Sequence, residues 1–485
     1  MVNGKEESSA RYPKIYVITA AQAAEFETVG EGEKKEQIPT GKGEPNRAVL
    51  ASLEKYCDKR GAELIILPMA GKNAGETELH PELASRKDIL WKRKKKLNSN
   101  IYVSDMVVPP QNVDCTTGRG RFVARDQTLI MAHSKQRMKA FPNSNFDLPK
   151  ILLGTGAITI PNYNETNHRG DAAKRDHTYG AFIVEVVDDR LFHFRNVRAL
   201  ANGKFIDMGL EFNKGSKPKK AGLEALVPGD LHIGDTDPLV RYANYEMIDE
   251  FCPKRLVLHD LFNGHSVNHH DWGKLITLVR EVYMKGRADL RIELEQCYEE
   301  LCSLAKAMRG KEVIVVASNH NEFLDKYLEA VRLKDDPLNA YMASQLMAKM
   351  MDGEDPVEAG LRKIGKIPKN VIFLKRDEDY KVLGWQLASH GDKGMAGGRG
   401  SMTAREFANG KSITGHSHVP EILRDTYVVG TSTYLNLPYT KGSPSAWMNS
   451  DAMLWNNGTA QLVNIIYGKW RMDEKVIISN EKYLV

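Results

Sequence analysis

The spacing of hydrophobic and polar residues predicts an α/β fold for the first half of the chain. Apolar runs at residues 14–19 and 64–67 predict two buried strands, and residues 46–59 between them have helical periodicity that ends near Gly61. Strand, helix, strand in this order predicts a parallel β-α-β unit. Residues 29–44, rich in Gly, Lys and Glu, predict a loop. Further β-rich segments predict a strong antiparallel share; they lie at residues 101–108, 128–132, 151–160, 181–187 and 191–194.

The second half alternates strand and helix patterns. Strands are predicted at residues 223–227, 255–258, 312–317, 371–374, 380–383 and 427–429, and helices at 238–251, 275–308 and 337–351. Residues 213–222, rich in Lys, Gly and Pro, are interpreted as a linker. We therefore expect an N-terminal α/β accessory domain over residues 1–222 and a second domain over residues 223–485. Open α/β sheets place ligands at strand ends, so the second domain should carry its site there.

Length and composition agree with this division. The 485 residues are enough for two domains, and 42% hydrophobic with 27% charged residues is typical of a soluble protein with a sizeable core. The net charge of +5 permits a nucleic-acid partner without requiring one. We expect no membrane association, because no apolar run approaches the roughly 18 residues of a membrane helix. Five scattered cysteines are expected to be reduced thiols of a cytoplasmic protein.

Five short islands of metal-ligating residues lie in the second half. They are Gly229-Asp230-Leu231-His232, Asp260-Leu261-Phe262-Asn263-Gly264, Ser318-Asn319-His320, His390-Gly391-Asp392 and Gly415-His416-Ser417-His418. The first three islands follow predicted strands. Hydrolysis of a phosphate ester needs an activated water and charge neutralisation, and two divalent cations about 3.5–4 Å apart supply both. Imidazole and oxygen donors without thiolate favour Mn²⁺, Fe or Zn²⁺ over a structural cysteine-zinc site.

The islands resemble the motif series of the calcineurin-like metallophosphoesterase superfamily, D-x-H, G-D-x-x-[DN], G-N-H-[DE], H and G-H-x-H, over roughly residues 223–430. The resemblance implies a catalytic domain built as a β-sandwich flanked by helices, in four layers α/β/β/α. It implies two divalent cations, with Mn²⁺ expected and Zn²⁺ or Fe as alternatives, which share the attacking hydroxide. It assigns Asp230, His232 and His418 to the first metal, Asn319, His390 and His416 to the second, Asp260 to a bridge between them, and His320 to acid catalysis.

The chain departs from the family pattern at three positions. His259 stands where the family has Gly before the bridging Asp, Ser318 replaces the Gly of G-N-H, and Asn321 replaces the following acid. None of these changes removes a ligand, but loss of the acid weakens the support behind the metal ligands. Asp235 and Asp237 are interpreted as caps of the helix from Pro238.

Two further residues are candidates for substrate contact. His265 is one of three histidines within six residues, at 265, 269 and 270, and Arg399 lies in a Gly-Gly-Arg-Gly segment. Both could contact phosphate at the mouth of the site. The alternatives are local hydrogen bonding for His265 and a plain surface loop for Arg399. His133 and His193 are expected to be structural.

The substrate class rests on weaker signs. Residues 92–96 form a basic cluster beside Trp91, which suits a phosphate backbone, although a lysine run is more often a solvated surface. The first hypothesis is a Mn²⁺-dependent DNA nuclease near the double-strand-break-repair branch of the superfamily. The large N-terminal part departs from that branch and resembles the arrangement expected in a phage-encoded pre-early DNase, which would act in the host cytoplasm.

The N-terminal part would then bind DNA or assemble a homo-oligomer. Two alternatives remain open. One is a small-molecule phosphodiesterase or protein phosphatase that uses the same chemistry. The other, from a different class, is a non-catalytic scaffold that has kept the fold.

Overall fold

The fold is mixed α/β, as the alternating strand and helix patterns predict. A computed structural model describes residues 12–472, apart from residues 32–33, 74, 92–93, 107, 125–126, 144–149 and 439. The chain divides into two compact units. Unit 1 takes in the chain up to Met138, the range Leu148–Lys219 and the segment from Trp470; unit 2 takes in Lys139–Asp147 and Lys220–Lys469. The main break therefore lies three residues before position 222, and two short segments belong to the other unit.

Unit 1 is built mainly of strands. Its helices are α1 (Arg47–Arg60), α2 (Pro81–Ala84) and α3 (His168–Arg175). Its strands are β1 (Lys14–Gln22), β2 (Phe26–Val29), β3 (Glu36–Pro39), β4 (Glu63–Met69), β5 (Lys94–Lys96), β6 (Ile101–Ser104), β7 (Thr128–Met131), β8 (His133–Ala140), β9 (Ile151–Gly156), β10 (Gly180–Val186), β11 (Phe192–Arg198), β12 (Phe205–Asp207), β13 (Leu210–Asn213) and β14 (Ser216–Lys220).

The β-α-β unit is present as the sequence predicts. Strands β1 and β4 pair in parallel, and α1 connects them. On the other edge of β1, β10 pairs antiparallel, and β11 pairs antiparallel with β10. Asn46 caps α1 by accepting hydrogen bonds from the N–H groups of Ala48 and Val49. Gly61 ends the helix at a φ of 59°, a conformation that glycine adopts without strain.

The break between the two units falls within the predicted linker at residues 213–222, but this segment also contains regular structure. Residues 216–220 form β14, the third strand of a small sheet in the order β12-β13-β14. Its lysines are largely exposed, because a strand at a sheet edge can carry charge outward while its backbone pairs. The polar composition described the exposed surface of this segment and not its backbone pairing. The predicted loop at 29–44 likewise contains β3, which pairs antiparallel with β2.

The basic cluster beside Trp91 is also partly a strand. Lys94–Lys96 form β5, which pairs antiparallel with β6. The Lys94 ammonium lies 3.8 Å from the centroid of the Tyr102 ring, a cation–π contact. Residues 92 and 93 of the cluster lie outside the described part of the chain.

Unit 2 alternates strands and helices. Its helices are α4 (Pro238–Phe251), α5 (Leu275–Thr277), α6 (Leu290–Ala307), α7 (Asn321–Glu329), α8 (Ala340–Met351), α9 (Pro356–Ile364) and α10 (Met402–Asn409). Its strands are β15 (Leu223–Val227), β16 (Arg255–Leu258), β17 (Glu312–Val316), β18 (Val371–Leu374), β19 (Lys381–Val382), β20 (Trp385–Gln386), β21 (Ser412–Thr414), β22 (Glu421–Leu423), β23 (Thr426–Val428), β24 (Asn449–Trp455) and β25 (Ala460–Ile465).

Two groups of strands organise unit 2. One has the order β18-β17-β16-β15-β24-β25, and β15 to β18 pair in parallel within it. The other has the order β19-β20-β21-β23-β22. Among the described residues, no helix is both long enough and apolar enough to cross a bilayer.

The long helix predicted over residues 275–308 is interrupted. Residues 275–277 are α-helical, Leu278–Tyr283 form a π-helix, and α6 begins at 290 with Asp289 as its N-cap. Gly286 between them has a φ of 68°, which a continuous helix cannot contain. Hydrophobic periodicity continues across this break, so it could not reveal the break.

Candidate metal centre

The loops that follow three parallel strands carry the first three islands. Asp230 and His232 follow β15, Asp260 follows β16, and Asn319 and His320 follow β17. Parallel strands present their carboxyl ends at one edge of a sheet, so these loops meet there. The backbones also join directly, because the N–H of His232 donates to the carbonyl of Asp260 at 2.7 Å.

Four of the predicted ligands hold their backbone in an unfavourable conformation. The φ angles of His232, Asp260, His416 and His418 are 44°, 47°, 78° and 56°. Positive φ is uncommon for residues other than glycine, and such strain concentrates at functional sites. The surrounding hydrogen bonds therefore hold these side chains in positions that the local sequence alone would disfavour.

A first cluster of four buried ligands has a spacing that suits one metal ion. Asp230, His232, Asp260 and His418 each offer a ligand atom, and these atoms lie within 4.8 Å of one another. The Nε2 atoms of His232 and His418 are 2.9 Å apart. His232 Nε2 is 3.3 Å from Asp260 Oδ2, and His418 Nε2 is 3.3 Å from Asp230 Oδ2. Two ligands that each lie about 2.1 Å from one ion are about 3.0–3.4 Å apart, close to the observed distances.

A second cluster lies on the other side of Asp260. Asn319 Oδ1 is 3.0 Å from His390 Nε2 and 3.1 Å from His416 Nδ1. His390 Nε2 is 3.2 Å from Asp260 Oδ2, the same oxygen that faces His232 in the first cluster. One carboxylate oxygen therefore lies between the two sets of ligands, and the structure brings together all seven residues that the islands predict as ligands.

The donor chemistry fits divalent cations. Asp230 and Asp260 are fully buried, and the Oδ1 atom of each has no hydrogen-bond partner among the residues that the structure describes. An unpaired buried carboxylate oxygen is costly unless a cation neutralises it. Carboxylate, amide and imidazole donors suit Mn²⁺, Fe and Zn²⁺. The residues of both clusters thus fit the two ions that the sequence predicts, without selecting between these metals.

The electrostatics keep Asp260 ionised. Burial works to raise its pKa, but the neighbouring histidines, His390 first among them, outweigh burial and hold the pKa well below its usual value. A buried carboxylate that remains charged is the chemistry expected of a residue that faces two cations.

His320 lies beside the first cluster and outside both ligand sets. Its ring centroid is 4.5 Å from that of His232. Its Nδ1 is 2.6 Å from the carbonyl oxygen of Asn263, which can only accept, so Nδ1 carries the proton and Nε2 is the acceptor. Burial lowers the pKa of His320 to about 4. The neutral ring is therefore held in one tautomer, and its assignment as the acid stays a prediction.

A network behind His320 shows that one of the two predicted helix caps has another function. Asp237 caps α4, because its Oδ1 accepts from the N–H of Leu239 at 2.8 Å. Asp235 is not a cap. Its carboxylate accepts from Asn263 Nδ2 at 3.0 Å and lies 2.7 Å from Arg287 Nη2. Asp235 therefore fixes the side chain of Asn263, and the backbone carbonyl of the same residue orients His320.

The same network includes a predicted substrate contact. His265 Nε2 lies 2.8 Å from Asp235 Oδ2 and 2.9 Å from Arg287 Nη1, and its side chain stays partly exposed. Burial works against the charge of Asp235, but His265 and Arg287 hold its pKa well below the usual value. Contact of His265 with a phosphate stays a prediction. Sequence reasoning missed Arg287 and Glu293, whose carboxylate accepts from the N–H groups of Gly264 and His265, because both lay within the predicted long helix.

Two departures from the family pattern contact each other. Asn321 Oδ1 accepts from the Ser318 hydroxyl at 3.2 Å, and Ser318 Oγ accepts from the N–H of His320 at 3.2 Å. These two substitutions together hold the turn that carries His320. The third, His259, is fully buried, with its ring centroid 5.5 Å from that of His390.

The remaining candidates lie farther from the ligands. Asp392 accepts from Arg376 Nη1 at 3.0 Å, which suits a supporting residue. Arg399 is exposed, and its backbone pairs with that of Lys393. His133 is buried in unit 1, where burial lowers its pKa to about 3. That environment agrees with the structural role expected for it.

Comparison with known proteins finds a distant relative of this chain. The chain is similar to Protein A1 of Escherichia phage T5, with 26% identity over 454 residues that cover 88% of this chain and 80% of that protein. No protein-family model matches the chain, and no solved structure matches it. The similarity suggests a phage origin; the printed name of the relative specifies no activity.

Proposed function

We propose that this protein is a two-metal phosphodiester hydrolase of the calcineurin-like metallophosphoesterase superfamily, and that it cleaves DNA. The observation that carries the proposal is the position of Asp260 Oδ2, 3.3 Å from His232 Nε2 and 3.2 Å from His390 Nε2. A carboxylate between two complete sets of ligands is what a binuclear centre requires. Under this proposal, the two strand groups of unit 2 form the four-layer α/β/β/α sandwich of the superfamily.

The residues would divide the work. Asp230, His232 and His418 would bind one cation, and Asn319, His390 and His416 would bind the other, with Asp260 shared between them. When bound, the cations would polarise the phosphate and lower the pKa of a water.

His320 contributes a different function. The Asn263 carbonyl fixes its Nδ1–H, so Nε2 is the atom available to accept and pass on a proton at the reacting phosphate. Five of the seven proposed ligands are buried, which strengthens the electrostatic contacts among them: Asp230, His232, Asp260, His390 and His418.

DNA is the proposed substrate on three grounds. The superfamily that the motifs resemble includes nucleases of double-strand-break repair. The net charge is +5, and the chain is similar to a phage protein. Unit 1 would then bind DNA or support assembly. A small-molecule phosphodiesterase or protein phosphatase is the second candidate, because the metal ligands alone do not select the ester. The completeness of both ligand sets argues against a scaffold that lacks metals.

Incubation with Mn²⁺ and four parallel substrates tests the proposal. These are duplex DNA, single-stranded DNA, RNA and bis(p-nitrophenyl) phosphate. Cleavage of DNA by the native protein, and its loss in Asp260→Asn, is the expected result. Asp237→Asn is the matched control, because Asn is as good a helix cap as Asp and this side chain does not face the centre.

Two other outcomes would reject the nuclease. Cleavage of only the small ester would support the second candidate and reject the nuclease. Absence of any hydrolysis together with absence of bound Mn²⁺ or Zn²⁺ in metal analysis would reject the enzyme and support the scaffold.

A further inference from the structure

A continuous series of rings leads away from His320. The His320 ring centroid lies 4.6 Å from that of Phe323 on α7. Phe323 in turn lies 5.1 Å from His269 and 5.6 Å from His270. The next ring is Trp272, 6.2 Å from His269. We call Phe323, His269, His270 and Trp272 the aromatic track.

The track has a buried base and an accessible surface. Phe323 is only 9% exposed and anchors the rings to α7. His269 and Trp272 are partly exposed, and His270 is exposed. The two imidazoles lie close together, with centroids 3.9 Å apart and their planes tilted by 37°. A hydrophobic core would bury all these rings, whereas His269, His270 and Trp272 keep part of their surface accessible to solvent.

Positive charge accompanies the rings. The Arg332 guanidinium lies 4.5 Å from the centroid of the Trp272 ring. Its side chain is 31% exposed and its nearest carboxylate, that of Asp335, is 3.7 Å away. Lys326, one turn after Phe323 on α7, is exposed. Flat rings with cations alongside are the combination that binds single-stranded nucleic acids, whose bases stack while the phosphates meet the cations.

We infer that the aromatic track binds unpaired bases of a single-stranded nucleic acid and leads that strand to the proposed centre. The inference rests on the proposed function and specifies its substrate: the strand must be unpaired where it meets the track. A duplex keeps the faces of its bases stacked inside the helix, so it offers phosphates and groove edges but no free base face for these rings to stack on.

Binding of a fluorescent oligo-dT tests the inference. The matched probe is an abasic oligonucleotide of the same length, which keeps the phosphates and lacks the bases. Anisotropy is measured in EDTA, so that metal-dependent cleavage cannot consume the probe. We expect Trp272→Ala to weaken oligo-dT binding about tenfold and to leave abasic binding unchanged, because one stacked base is lost.

Two variants complete the experiment. Trp272→Phe keeps a ring and should retain most of the oligo-dT binding, which also guards against a folding defect in the alanine variant. Tyr242→Ala removes an exposed aromatic of α4, 61% exposed, and should bind as the native protein does. Equal binding of oligo-dT and the abasic probe by the native protein, or equal binding by Trp272→Ala and Tyr242→Ala, would overturn the inference.

The inference and the proposed function can fail separately. Hydrolysis of bis(p-nitrophenyl) phosphate does not require base stacking, so native protein and Trp272→Ala should hydrolyse it equally. If neither hydrolyses it while oligo-dT still binds better than the abasic probe, the proposed function fails and the track remains. If both hydrolyse it and the two oligonucleotides bind equally, the track fails alone.

Discussion

Substitution of two aspartates that lie two residues apart should affect activity differently. Asp235 accepts from Asn263 Nδ2 at 3.0 Å and pairs with Arg287 Nη2 at 2.7 Å, whereas Asp237 accepts one capping bond from Leu239 at 2.8 Å. We expect Asp235→Ala to reduce hydrolysis and Asp237→Ala to leave it unchanged. Only Asp235 is connected, through Asn263, to the carbonyl that orients His320.

The structure allows the size of each effect to be worked out. Removing the support behind a catalytic group costs about 10–100-fold in activity, so Asp235→Ala should lower kcat by that factor. Its side chain is 4% exposed, but that of Arg287 is 25% exposed and regains water, so the loss of stability should be only about 1–3 kcal/mol. Losing the cap in Asp237→Ala should cost about 1 kcal/mol. The two variants therefore differ little in stability and strongly in rate.

The assay is Mn²⁺-dependent hydrolysis of bis(p-nitrophenyl) phosphate, with urea unfolding of each variant alongside. The ¹⁵N shifts of the His320 imidazole give a second measurement, because loss of the fixed Nδ1–H tautomer would be visible without turnover. An Asp235→Ala protein with native kcat and an unchanged His320 tautomer would refute the reasoning. Equal loss of activity in both variants would mean that general destabilisation is responsible.

Three further predictions concern the ligands and the residues that support them. Asp260→Asn should reduce bound Mn²⁺ from two ions per chain to below one, because only Asp260 faces both clusters. His418→Ala should still retain one ion. Metal analysis after dialysis distinguishes these outcomes. Gly415→Ala should release the first ion, because the added Cβ would lie 2.0 Å from Asp230 Oδ1; an unchanged metal content would contradict this. Burial raises the pKa of Asp451 to about 7, so the folded protein binds one more proton than the unfolded chain between about pH 4 and 7, and stability falls as pH rises through that range. Asp451→Asn should remove this pH dependence and raise the free energy of unfolding by about 2–4 kcal/mol at pH 8, measured in urea. A pH profile like that of the native protein would contradict the role of Asp451.

The local pattern determined much of the fold. Apolar runs located β1, β4 and β15 to β17, because a mostly buried strand is apolar over its own length whatever its neighbours are. The same signal failed at residues 216–220, where pairing at a sheet edge and not burial makes the strand. It failed again at Gly286, because apolar spacing cannot report a backbone turn.

The sequence by itself determined which residues could bind metal, since their types and order follow from the five islands. Only the tertiary structure decided that Asp260 Oδ2 faces both clusters and that Asp235, unlike Asp237, supports His320. Asp235 and Asp237 have the same side chain and lie in one loop, and they differ in the partners that each side chain contacts. Strands β15 and β16 lie side by side, so the loop after β15 that carries Asp235 meets the loop after β16 that carries Asn263.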